Sequence, residues 1–242
     1  MRMHTKSGRS RWPYVIGSAL VVVAVAGGLV YTANQPTPEP TQSAAPAPTP
    51  TATATAPAAD GSGASDGDEG AAPTGCLGGQ ERNAAMVLAA QSAAPHTTFG
   101  AVEVATSFYR SLWQYPAPSA EESNAVAAGL IASTATPAWR DVSAQYQSEA
   151  WAQLVSKNQA YGSSFYVSTA NGIWRVTEDS TTDRVTVEMA VGYVFDDVLS
   201  PTEVAGLALV MVWENNGWRV EGGVPVDQDK LAAGGTRFTG GC

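Results

Sequence analysis

Between Arg184 and Phe195 the chain reads RVTVEMAVGYVF, placing Val185, Val187, Met189, Val191, Tyr193 and Phe195 on one face with polar or small residues between them. Strict alternation over such a stretch is the mark of a strand packed on one side. The same period predicts strands at Gly172–Glu178 (GIWRVTE), Glu203–Trp213 (EVAGLALVMVW) and Trp218–Glu221, with a shorter candidate at Ser164–Ser168. Asn215-Asn216-Gly217 joins the last two and is a hairpin turn signal.

Upstream the period is helical. Ala101–Gln114 repeats Val102, Ala105, Tyr109 and Leu112 at helical spacing and stops before Pro116. Ser119 and Glu122 form the sequence of a capping box, with Val126, Leu130 and Ile131 as the inner face of a helix ending near Ser133. Thr136-Pro137 reads as a helix start, followed by Trp139, Val142, Tyr146, Ala150 and Leu154 through Lys157. Glu81–Ala93 is a short, weakly patterned alanine-rich helix candidate.

Helices followed by strands imply an α+β domain. Three N-terminal helices pack on an antiparallel sheet of about four strands, curved because Gly192 and Gly206 interrupt its long strands. The expected shape is a cone, with the tail from Val224 wrapping back to Cys76.

The N-terminal third has a different pattern. Val15–Val30 (VIGSALVVVAVAGGLV) is an uncharged apolar run between Trp12, Tyr14 and Tyr31, and Tyr14–Thr32 reaches the length of a membrane-spanning helix. Arg2, Lys6, Arg9 and Arg11 precede it without an acidic residue, which predicts an N-terminus inside and the remainder outside. Ala24-Val25-Ala26 also has the form of a signal cleavage site, a reading that exports the same C-terminal part. The expected organisation is a basic cytoplasmic tail (1–13), a transmembrane helix (14–32), a Pro/Thr/Ala-rich disordered linker (33–75) and an extracellular domain (76–242). Eight of the fifteen prolines fall in that linker, and nothing in it can build a core.

Net charge is −9, and the nine basic residues after the apolar run face all twenty-two acidic ones. Such a surface repels phosphate backbones, so nucleic acid is not an expected partner. Cys76 and Cys242 are the only cysteines and bracket the domain, so a disulfide between them is expected in an exported chain. A lipid-modified Cys76 and an intermolecular bridge are the alternatives.

This build of anchor, stalk and domain ending in VMVWENNGWRV resembles actinobacterial single-pass envelope proteins with an NTF2-like exported domain, similar to VirB8/TcpC-type components of conjugative type IV secretion. The resemblance implies a non-enzymatic scaffold in a cell-envelope complex for conjugative DNA transfer. Its implied partners are the cell membrane, other envelope-complex proteins and further copies of itself. The chain is similar in the same general way to Mce-associated proteins, which implies lipid or small-ligand handling at the cell surface. Neither resemblance carries functional residues over.

Candidate chemistry is sparse. His4 and His96 are the only histidines, so no His/Cys zinc site, cofactor or catalytic dyad is expected. Asp196-Asp197 with Glu203 could hold calcium, although a solvated turn is the simpler reading. Glu188 alternates onto the face opposite the core, where solvent is expected. The tryptophans are expected in the core, with one or two on the sheet face available as interface anchors.

Overall fold

The computed structural model describes residues 71–242. The tail, the apolar run and nearly all of the linker lie outside the described residues. Among the described residues six helices precede the main sheet: α1 (Ala84–Ala93), α2 (Thr98–Leu112), α3 (Ala120–Leu130), α4 (Pro137–Arg140), α5 (Val142–Gln145) and α6 (Glu149–Asn158). A short strand β1 (Gln114–Tyr115) follows α2, and the long strands are β2 (Phe165–Val176), β3 (Arg184–Phe195), β4 (Val198–Glu214) and β5 (Gly217–Val224). The chain ends with α7 (Gln228–Gly234) and β6 (Thr236–Arg237).

The sheet is an antiparallel meander in the order β1-β2-β3-β4-β5, with β6 added beside β2. The expected α+β arrangement with a curved antiparallel sheet is present, but its details are corrected. The expected helix from Thr136 to Lys157 is broken into three, because Asp141 accepts from Ala144 N and Ser148 from Trp151 N. These side chains cap new helix starts more favourably than they serve a helix interior. The sheet has six strands rather than about four, since β1 and β6 are two residues long and carry no period. The two stretches Ser164–Ser168 and Gly172–Glu178 belong to the single strand β2, which bulges between Ser168 and Ile173 at Asn171, a residue with φ of 60°.

One face of the sheet packs on α2 and its neighbours. Val187, Met189, Leu209, Met211, Trp218 and Val220 are fully buried there with Val102, Phe108 and Tyr109. Only half of the expected capping box forms, with Glu122 N donating to Ser119 Oγ at 3.2 Å. The Glu122 carboxylate turns instead to α1 and accepts from Ala84 N. A sequence pattern cannot reveal that a second helix start lies closer than the first.

The opposite face is covered by the C-terminal segment that follows β5. Glu188 is 3% exposed rather than solvated. It accepts from Arg175 Nη1 at 2.7 Å and from Asp227 N at 2.9 Å. Cys76 and Cys242 are bonded to each other. Next to that bond Glu103 accepts from the backbone N–H groups of Thr74, Gly75 and Leu77. Arg110, fully buried on α2, donates to the carbonyls of Gly75, Gly79, Gln80 and Glu81. Burial pulls the Arg110 guanidinium down to about 10, which leaves it charged at neutral pH.

Candidate functional site

The cone interior is filled by side chains. Trp113 Nε1 donates to the Tyr193 hydroxyl at 2.8 Å, and Phe165, Tyr109 and Trp151 pack edge-on or tilted around this pair. The unpartnered Tyr109 hydroxyl is fully buried beside Tyr193, and burial raises its ionisation well above the usual phenol range. A cleft between α2, α3 and α5, lined by Phe108, Leu112, Val126, Val142 and Tyr146, has room for about one water molecule.

The acidic pair sits at an exposed turn. Asp196 and Asp197 form the β3–β4 turn with φ of 46° and 66°, the left-handed conformation that a tight hairpin requires. Asp196 accepts from the backbone N–H and hydroxyl of both Ser163 and Ser164, at 2.9 to 3.1 Å. Hydrogen bonds from the Ser163 hydroxyl and the Ser164 and Ser163 amides hold this carboxyl down to about 2. Asp197 accepts from the Tyr166 hydroxyl, whose ring lies under the Arg82 guanidinium at 3.7 Å. Among the described residues no group of three or more His, Cys, Asp or Glu side chains could hold a metal ion. Asp196 is a clamp that ties the hairpin to the start of β2.

His96 stacks on Trp213 at 4.2 Å and sits 2.8 Å from Asp183 through Nε2. Nothing in the sequence pattern linked His96 to Asp183, because the contact joins the α1–α2 and β2–β3 loops. Among the described residues no hydroxyl hydrogen bonds to His96, so the pair lacks the nucleophile of a triad.

The residues with most apolar surface in water lie elsewhere. Val198 is 69% exposed, Val204 47% and Leu199 36%, all on the first half of β4, while Val224, 38% exposed, ends β5 and Tyr161, 49% exposed, stacks on Phe195 at the end of β3. Strand pairing explains why they are bare. β4 pairs with β3 at Val198 and Leu199 and again from Val204 to Val212, but with β5 only from Ala208 to Glu214. Val224 is the last residue of β5, and Pro225 follows it.

Register adds a second feature. Gly192 pairs with Val204 and Val194 with Leu199, so Ser200–Glu203 loop out as a bulge opposite Tyr193. Within the bulge Thr202 N and Glu203 N donate to Ser200 Oγ. The edge without a strand neighbour therefore runs from Val204 to Leu207 among the described residues. Leu199 folds across Gly192, where an added Cβ would stand 2.8 Å from its Cδ1. The glycine expected to bend the sheet thus also makes room for a side chain.

None of the tryptophans expected as anchors is among the large exposed side chains; Trp113, Trp174 and Trp218 are buried and Trp139, Trp151 and Trp213 partly so. The signal for the bare edge was available in VLSPTEV, where a proline precedes an alternating run, but a strand beginning at Glu203 hides it.

Fold and site together define an α+β domain whose half-barrel sheet is filled by helices and aromatic side chains, with the free end of one hairpin carrying exposed aliphatic groups. The chain matches no family model, no curated protein and no solved structure.

Several expectations are corrected by these findings. Among the described residues no helix is long and apolar enough to cross a membrane, and the span expected at Tyr14–Thr32 lies outside them. The reading as a single-pass envelope protein with an extracellular domain is withdrawn, together with the membrane as a partner. The assignments to VirB8/TcpC-type conjugation components and to Mce-associated lipid handling are withdrawn as well. Both rested on the anchored build, and no comparison supplies independent support for either.

Proposed function

We propose that residues 76–242 act as a non-catalytic module that binds a polypeptide through the distal end of the β3–β4 hairpin. The observation that carries this reading is the bare stretch of β4, where Val198, Leu199 and Val204 stay in water although the strand continues into a fully buried core. Clustered aliphatic side chains beside unpaired backbone are costly to expose and mark contact surfaces. The filled interior supports surface recognition over enclosure of a small molecule. Overall negative charge favours polypeptide over nucleic acid.

Photo-cross-linking in the native host tests the proposal. A photoreactive amino acid replaces Val198, Leu199 or Val204 in the full chain, with Glu178 and Gln153 as exposed control positions. Discrete protein adducts at the three hairpin positions and none at the controls are expected. Absence of adducts at the hairpin positions, or equal labelling at the controls, would overturn it.

A further inference from the structure

We infer that the partner adds a strand to β4 in the slot beyond the end of β5, and that this strand is basic with alternating apolar side chains. The inference rests on the proposed binding role of the hairpin.

Pro225 supplies the slot. A proline cannot donate to a ladder, and after it the chain leaves β4 and passes beneath the sheet, where Val226 lies beside Gly206 and Asp227 N donates to Glu188. The line of β5 therefore stops opposite Ala208, and among the described residues Val204–Leu207 continue without a neighbour on that side. Four residues span about 13 Å, enough to pair with a short extended segment. Main-chain bonds would supply affinity, and alternate side chains of the added strand would fall on the two faces of the sheet. On one of them Leu199 and Val204 offer an aliphatic seat beside Gly192.

Charge selects the occupant. Glu203 borders the slot at one end, and Asp196 and Asp197 lie at the hairpin turn beyond it, where the Arg82 guanidinium over the Tyr166 ring is a cation close to Asp197. A strand carrying Lys or Arg on its flanks is attracted to this rim, whereas a second copy of a chain of net charge −9 is repelled by it. Pro201 and the bulge at Ser200–Glu203 further limit edge-to-edge pairing between two copies, since both shorten the flat stretch that such a dimer would need.

The test uses the full chain and a fluorescent peptide, acetyl-Lys-Val-Lys-Val-Thr-Val-Lys amide, read by anisotropy. Three comparison probes are the same peptide with Glu for Lys, the peptide with alternate backbone nitrogens methylated, and the Val204→Lys protein, whose melting temperature confirms folding. Affinity for the basic peptide is expected to exceed that for the other two peptides by about tenfold or more, and to fall by a similar factor in the variant. Hydrogen exchange on the unmodified protein is expected to slow at Val204–Leu207 when the peptide is added.

Equal binding of the methylated peptide, or protection elsewhere, would overturn strand addition. Tighter binding of the acidic peptide would overturn the charge assignment. A dimer whose formation protects Val204–Leu207 would overturn the choice of occupant. In each of these cases adducts at Val198 and Leu199 in the host would leave the broader binding role standing, so the two failures are distinguishable.

Discussion

Arg110 is the residue whose removal tests the account of this fold most directly. It is fully buried, and its two terminal nitrogens reach four backbone carbonyls of the entry segment, the Gly79 and Gln80 bonds being the shorter at 3.0 Å. Substituting Arg110→Met keeps much of the volume of the side chain and removes every donor. A hydrogen bond from a charged donor contributes about 1.5–3 kcal/mol, so the two shorter bonds alone are worth roughly 3–6 kcal/mol. Rehydration of carbonyls near the surface and the apolar contacts of methionine return part of this, leaving an expected loss of about 3–5 kcal/mol. For a domain of this size that corresponds to a fall in Tm of very roughly 6–20 °C. Urea unfolding of the full chain followed by tryptophan fluorescence and far-ultraviolet circular dichroism measures it, with Arg110→Lys as an intermediate case. A loss below about 0.5 kcal/mol at unchanged denaturant slope, the range of ordinary surface substitutions, would refute the view that Arg110 holds the entry segment onto α2.

Other outcomes follow from the same geometry. Cys76→Ser opens a loop spanning 166 residues, whose closure is worth about 5 kcal/mol in the chain-entropy model as an upper figure. The variant should melt well below the oxidised parent and level with the parent under reductant; equal melting of all three would contradict it. Glu188→Ala leaves Arg175 and Asp227 N without their acceptor under the tail, at an expected cost of about 3–5 kcal/mol, and Glu188→Gln, which keeps a neutral acceptor, should lose less on the same denaturant scale. Asp196 has its folded-state ionisation depressed to about 2 from 3.8, so its stabilisation of the hairpin is present above the unfolded value and is lost as pH falls from about 4 to about 2. Protection factors at the Ser163 and Ser164 amides, which remove the intrinsic slowing of exchange toward low pH, should fall over that window in the parent and be low throughout in Asp196→Ala; parent protection that stays flat to pH 2 would contradict the assignment.

The local sequence determined much of the fold because its signals are local in origin. The alternation from Val185 to Phe195 follows from the two-residue period of a strand with one face on a core, and Asn215-Asn216-Gly217 turns the chain because its residues tolerate positive φ. Helix α2 was legible from spacing in the same way. Only the tertiary structure decided matters that depend on what lies across the fold. The tail buries Glu188, which its position in an alternating strand assigns to solvent. Glu122 caps a helix other than its own, and Asp141 and Ser148 divide a stretch whose spacing reads as one helix. The bare edge of β4 exists because β5 ends at Val224 and Pro225 sends the chain beneath the sheet, so that Val198, Leu199 and Val204 share the composition of a core strand without its neighbours. Periodicity records which side of an element is apolar, whereas the partner that covers that side is chosen by chain segments tens of residues away.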